Sequence, residues 1–230
     1  MSMMAWPVTG ACTVNSRPSR PPRRVIPCPP NARSGEPSEC RRYRRNPRMA
    51  VESTRTPISS LPSVHLPDLT GATIDLDALA SGRPTVVVFA CNHCPYVRSV
   101  EQALGGIAAR NPDVTWVAIC SNDADAYPDD DVAGLREQVA RAGWDFPYLV
   151  DADQSIARAF GAVCTPDFFV FDATGQLVYR GAMDDARPKQ PQPVDGAHLD
   201  AALSAARQGR SFTGGKPAMG CGIKWRDVTA

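Results

Sequence analysis

The sequence predicts an α/β fold, a central mixed sheet flanked by helices. Three observations carry this. Thr85 to Ala90 (TVVVFA) and Val114 to Cys120 (VTWVAIC) are continuous β-rich runs, the pattern of strands buried on both faces. Between them, Val97, Val100, Leu104 and Ile107 recur at helical spacing. Further on, FFVFD (168–172) and QLVYR (176–180) flank Ala173-Thr174-Gly175, which reads as an antiparallel hairpin. Alternating strands and helices call for a mostly parallel sheet covered on both faces, and the hairpin adds an antiparallel edge.

The remaining elements follow in order. Val64 to Asp75, with Gly71 at a turn, reads as a short hairpin. Asp77-Ala78-Leu79 opens a brief helical turn ended by Ser81-Gly82. The long helix begins at Tyr96, just after Pro95, and runs to about Arg110. An Asp-rich loop, SNDADAYPDDD, leads into a helix near 132–142 closed by Gly143. Asp145 to Val150 gives a short strand, and Ser155 to Phe160 a short helix closed by Gly161. A last helix spans about 197–208, before a Gly/Pro-rich tail containing GCGIKW. There is no Gly-rich phosphate loop after the first buried strand, which disfavours nucleotide binding.

Residues 1–48 differ from the rest. They hold ten Arg, no Lys and two Glu, a net charge of +8 against −7 for the remaining 182 residues. Nine of the 22 prolines lie there, with four Val or Ile and no Leu or Phe. Such a segment cannot bury enough apolar surface to offset its ordering entropy and reads as a disordered extension. It lacks the apolar run of a secretory signal, and the chain has no stretch of membrane-spanning length. Clustered Arg is also the footprint of a nucleic-acid arm, but few aromatics and no Lys accompany it. Ordinary protein sequence is therefore expected to begin at Met49, with a globular domain over 57–225. The expected compartment is the cytoplasm, with no membrane and no nucleic acid as partner. There a C-x-x-C means metal or redox work.

That motif follows the first buried strand directly: Cys91-Asn92-His93-Cys94-Pro95. Proline is favoured at the first helical residue, which puts Cys94 at the N-cap. A helix N-terminus favours the thiolate, the reactive form of cysteine. Cys94 is accordingly the expected nucleophile and Cys91 its partner, the reverse assignment being the alternative. His93 either supports the thiolate when protonated or is an exposed loop imidazole.

With Phe160-Gly161-Ala162-Val163-Cys164-Thr165-Pro166, FFVFD, LVYRG and GCGIKW, the segment resembles the thioredoxin-like superfamily. It is most similar to the alkyl hydroperoxide reductase/thiol-specific antioxidant (redoxin) branch and its peroxiredoxin-like relatives, over about residues 57–225. The resemblance implies a thioredoxin-like fold with a cis-proline, Pro166, facing the active cysteine. It implies Thr165 and Pro166 as a substrate-contacting pair whose backbone takes an extended partner in β-fashion. In peroxiredoxins a threonine stands at the position of Cys91, and an arginine near the hairpin helps hold peroxide. Here no Arg lies between 159 and 179. The expected activity is thus thiol–disulfide exchange, with an antioxidant role, and the alternative is a thiol peroxidase using Cys94. The implied partners are a thiol or disulfide protein or a small peroxide, and a reductant such as a thioredoxin or a low-molecular-weight thiol.

Cys221, in a Gly-flanked tail read as flexible, is a candidate resolving cysteine able to reach a sulfenic acid on Cys94. Cys164, two residues before Pro166, is a candidate accessory thiol or a small core residue. Cys120 reads as core, and Cys12, Cys28 and Cys40 fall in the extension. No cofactor and no metal is expected. A copper- or zinc-binding module built on Cys91, His93, Cys94 and Cys221 is the alternative of another class, although zinc sites rarely take ligands two residues apart. The acidic run Asp123, Asp125, Asp129, Asp130, Asp131 lacks the Gly and Glu of a calcium loop and reads as helix-capping charge. A non-catalytic adaptor is argued against by the intact C-x-x-C.

Overall fold

The computed structural model describes residues 50–53, 57–190 and 192–226. The expectations for residues 1–48 lie outside these. Its elements are β1 (Ala50–Glu52), β2 (His65–Pro67), β3 (Thr73–Asp75), α1 (Leu76–Ala80), β4 (Thr85–Phe89), α2 (Pro95–Arg110) and β5 (Thr115–Cys120). A 3₁₀ turn (Pro128–Asp130) precedes α3 (Val132–Ala142), β6 (Tyr148–Val150) and α4 (Ser155–Phe160). Then come β7 (Cys164–Thr165), β8 (Asp167–Phe171), β9 (Leu177–Gly181), α5 (Ala197–Arg207) and β10 (Met219–Gly222).

Five strands form the central sheet in the order β6-β5-β4-β8-β9. β4, β5 and β6 are parallel, while β8 and β9 run antiparallel to their neighbours. This is the expected mixed sheet, and its β-branched strands show why it forms. Every residue of β4, β5 and β8 is buried, and alternate residues feed two separate apolar layers. Val86, Val88, Ala118, Phe168 and Val170 pack against Val97, Val100 and Leu104 of α2 and Leu199 and Leu203 of α5. Val87, Phe89, Val117, Ile119, Phe169 and Phe171 pack on the other face with Phe160 of α4. There Phe160 meets Phe89 and Phe169 edge-on, with ring centroids 5.3 and 5.1 Å apart. Such pairs add about 0.5–1.5 kcal/mol beyond their buried area.

The helix ends obey local chemistry. Asp131 caps α3 by accepting from the Gly134 N–H at 2.8 Å, and Gly143 closes it in a left-handed conformation with φ 66°. One part of the architecture differs from the sequence reading. The tail read as flexible forms β10, sandwiched between β1 and β7 in a second, three-stranded sheet. Met219-Gly220-Cys221-Gly222 has little intrinsic strand preference, and its conformation comes from tertiary pairing. Because β1 pairs with β10, the ordered fold also begins before residue 57.

Candidate active site

α2 starts where β4 ends, so the loop Ala90–Cys94 delivers two sulfurs to the carboxyl edge of the sheet. Pro95 is the first helical residue and Cys94 the N-cap, with extended backbone at φ −75°, ψ 119°. Opposite stands β7, followed by the Thr165–Pro166 bond, which is cis. The two cysteines converge on Thr165. The Cys94 Sγ lies 3.2 Å from the Thr165 carbonyl oxygen, and the Cys91 Sγ lies 3.3 Å from its Oγ1. Neither cysteine has exposed surface.

The electrostatics separate the two thiols. Burial by itself would raise the Cys94 pKa. Hydrogen bonds donated by the thiols of Cys221 and Cys91, the Thr165 hydroxyl and the Val97 amide outweigh it and hold Cys94 well below the ordinary thiol range. The Thr165 carbonyl pulls the other way, since a protonated Cys94 can donate to it and a thiolate cannot. Cys91 is pushed well above the ordinary range, first by burial, then by its role as donor to Cys94 and by the charge of Asp130. Cys221 is raised by donating to Cys94 and by partial burial. The environment thus favours the thiolate at Cys94 and the thiol at Cys91 and Cys221.

The loop between the cysteines is held by a residue that the sequence analysis took for helix-capping charge. Asp130, buried at the end of the 3₁₀ turn, accepts from the Asn92 and His93 amides at 2.8 and 3.1 Å through Oδ1. Its Oδ2 lies 2.5 Å from His93 Nδ1 and accepts from Asn122 Nδ2 at 2.8 Å. Burial opposes its ionisation, but the His93 and Asn122 hydrogen bonds prevail and lower its pKa. His93 is therefore not a free loop imidazole. It is anchored by Asp130 and stacked on Tyr127, with centroids 5.6 Å apart. Arg141 fixes the other side of the loop, donating to Asn92 Oδ1 at 2.8 Å and to Glu101 at 2.6 Å.

Cys91, His93 and Asp130 can bring one donor atom each to within 4.8 Å of one another, the arrangement among the described residues that could hold a metal ion. Both Asp130 oxygens already accept two hydrogen bonds, so a metal would have to displace the contacts that order the loop.

Cys164 is buried beside Ala218, its Sγ 3.9 Å from that carbonyl, and burial raises its pKa. Cys120 is buried and likewise raised by burial. Arg180, on the hairpin, donates to Asp167 at 2.7 Å and to the Gly161 carbonyl at 2.8 Å. It serves a buried ion pair, where burial lifts Asp167 to about 6 against the pull of Arg180. Cys221 stands opposite Thr165 in the β10–β7 register. The strand edge expected to be open to a partner is filled by the chain itself.

The Redoxin family model matches residues 57–197. The chain belongs to the redoxin family. The matched stretch of this redoxin ends before β10. A conserved protein of Geobacillus kaustophilus is similar in structure, with TM-score 0.75 and 40% identity over 79% of this chain and 98% of the other. A hypothetical protein of Sinorhizobium meliloti gives TM-score 0.73 and 38% identity, covering 76% of this chain and 98% of the other. The soluble secreted antigen MPT53 of Mycobacterium tuberculosis is 31% identical over 111 residues, 48% of this redoxin and 60% of the antigen. The match thus spans less than two thirds of that relative's length. A secreted disulfide oxidoreductase of M. tuberculosis shares the fold, at TM-score 0.50 and 24% identity over 62% of this chain and 96% of the other.

Proposed function

We propose that this redoxin is a thiol–disulfide oxidoreductase in which Cys94 is the nucleophile and Cys91 its partner. The observation that carries the reading is the placement of Cys94 at the N-cap of α2, with Cys91 three residues before it and both sulfurs against Thr165, at 3.2 and 3.3 Å. The Cys94 thiolate attacks a substrate disulfide, forming a mixed disulfide and releasing one substrate thiolate. Cys91 gives up its proton and attacks Cys94, which breaks the mixed bond, releases the second substrate thiol and leaves a Cys91–Cys94 disulfide. The Thr165 hydroxyl, 3.3 Å from the Cys91 sulfur, can relay that proton. Reducing equivalents from a thioredoxin or a low-molecular-weight thiol return the pair to the dithiol, in keeping with a reducing, cytoplasmic setting.

A second reading, thiol peroxidase, is favoured by the covered sulfurs and the occupied strand edge, which suit a small oxidant. A narrow depression lined by Tyr96, Phe168, Met183 and Met219 adjoins Pro166. Against it, Arg180 is bound to Asp167, and losing one preorganised donor to a developing oxyanion typically lowers rates by ~10²–10³. Stopped-flow oxidation of the reduced protein by hydrogen peroxide, run beside turnover of a small aromatic disulfide, separates the two. Disulfide exchange is expected to be the faster. A peroxide rate constant near ~10⁷ M⁻¹s⁻¹ with weak disulfide turnover would instead establish the peroxidase.

A further inference from the structure

β10 lies where an extended partner would bind. Cys221 pairs with Thr165 and Gly222 with Cys164, and the ladder continues to the Ile223 N–H, which donates to the Val163 carbonyl at 3.0 Å. In an antiparallel ladder hydrogen-bonded pairs alternate, so two residues back Cys221 and Thr165 form the next such pair. The approach is close: a Cβ at Gly220 would fall 1.8 Å from the Thr165 carbonyl oxygen. The same carbonyl lies 3.2 Å from the Cys94 sulfur, and Cys221 packs on the apolar layer that contains Cys91 and Cys94.

The strand is pinned from its far end. The Lys224 N–H donates to Asn122 Oδ1 at 2.8 Å, and the Lys224 carbonyl accepts from Gln154 Nε2 at 2.8 Å and from the Asp123 N–H at 2.9 Å. Gln154 Oε1 accepts from the Arg226 N–H at 2.9 Å, and Ile223 is buried in the second layer. Asn122, which holds Lys224, also donates to Asp130, so one network orders both the C-x-x-C loop and the tail. Cys221 is held at the site as part of the fold. It is also the member of the three-thiol cluster with exposed surface, while Cys91 and Cys94 have none.

We infer that β10 is a built-in partner strand and that Cys221 is a third redox cysteine, through which reducing equivalents enter the buried pair. The inference rests on Cys94 being the nucleophile. In the oxidised protein the Cys221 thiolate attacks Cys94 Sγ. A Cys94–Cys221 bond forms, the Cys91–Cys94 bond breaks, and Cys91 leaves as a thiolate that takes up the proton Cys221 lost. This exchange carries no net oxidation or reduction. A dithiol reductant then attacks the half-buried Cys221 sulfur and releases the Cys94 thiolate. Its second thiol breaks the resulting mixed bond, leaving the reductant as a disulfide and Cys221 as a thiol. The arrangement lets a protein reductant work without reaching a sulfur buried beneath the strand, since exchange depends on access as well as on thiol chemistry.

The test uses the full chain and its Cys91→Ser, Cys94→Ser and Cys221→Ser variants. Each is reduced, treated with one equivalent of hydrogen peroxide, and mapped for disulfides after acid quench and proteolysis. Reduction of each oxidised protein by a thioredoxin is then timed. Cys91→Ser should yield a Cys94–Cys221 disulfide. Cys221→Ser should still form Cys91–Cys94, but thioredoxin should reduce it more slowly by roughly tenfold or more. Cys221→Ser reduced at the wild-type rate, with no Cys94–Cys221 bond in Cys91→Ser, would overturn the inference while leaving Cys94 as nucleophile. A Cys94→Ser protein that forms a Cys91–Cys221 disulfide as fast as wild type forms its own would overturn the underlying reading instead.

Discussion

Replacing Asp130 with Asn tests how the active-site loop is held. The carboxylate accepts four hydrogen bonds, two at each oxygen. An amide keeps one accepting oxygen. If that oxygen serves the Asn92 and His93 amides, the new NH₂ faces two donors. The imidazole can answer by changing tautomer, but Asn122 cannot flip without turning a donor towards the Lys224 N–H, which now bonds its Oδ1. At least one buried donor is left opposed, and a charge-assisted acceptor is lost. An unsatisfied buried group costs about 1–3 kcal/mol, and hydrogen bonds to charged groups contribute about 1.5–3. Together these give a loss of about 2–4 kcal/mol. At roughly 2–4 °C per kcal/mol for a domain of this size, thermal unfolding of the reduced protein at neutral pH should fall by about 4–15 °C.

The sign of the pH dependence follows from the lowered Asp130 pKa. Its contribution is present above the unfolded carboxyl value of about 3.9 and is lost as pH falls through the lower folded value. The gap between wild type and variant should therefore narrow only below about pH 4. A shift under about 2 °C at neutral pH would refute the reasoning. Loss of the Asp130 charge should also let Cys91 ionise at lower pH, which alkylation kinetics would read.

Three further outcomes follow from particular contacts. Gly220→Ala puts a methyl group onto the Thr165 carbonyl, so β10 must lift; alkylation of Cys94 by iodoacetamide should speed up, and an unchanged rate would mean that β10 does not guard the sulfur. Arg141→Ala strips the buried Glu101 carboxylate and Asn92 of a shared donor. Because Arg141 itself is about a third exposed, the loss should be about 2 kcal/mol, below the ~3–5 typical of a fully buried pair, as denaturant unfolding would show. Truncation after residue 48 leaves β1 intact and should preserve the melting temperature, whereas truncation through residue 53 removes the strand beside β10 and should lower it.

Much of the fold was legible because its signals are local. β4 and β5 declare themselves by β-branched residues, and α3 by Asp131 and Gly143 at its two ends. Pro95 alone located the N-cap at Cys94. The parts missed depend on contacts between distant residues. Met219–Gly222 carries two glycines and reads as a loop, yet Gly220 is there because the Thr165 backbone comes too near for a side chain. Asp130 is one of several aspartates in an acidic loop, with nothing in its neighbours to distinguish it. Only the fold carries it to amides 37 and 38 residues away.

The most direct test of the account is an ultraviolet thiolate titration of the reduced protein beside its Cys94→Ser and Cys91→Ser variants. At about pH 6, well below the ordinary thiol pKa near 8.5, wild type and Cys91→Ser should each show about one thiolate equivalent, and Cys94→Ser none. If Cys94→Ser keeps that absorbance and Cys91→Ser loses it, the charge resides on Cys91 and the assignment of the nucleophile is wrong.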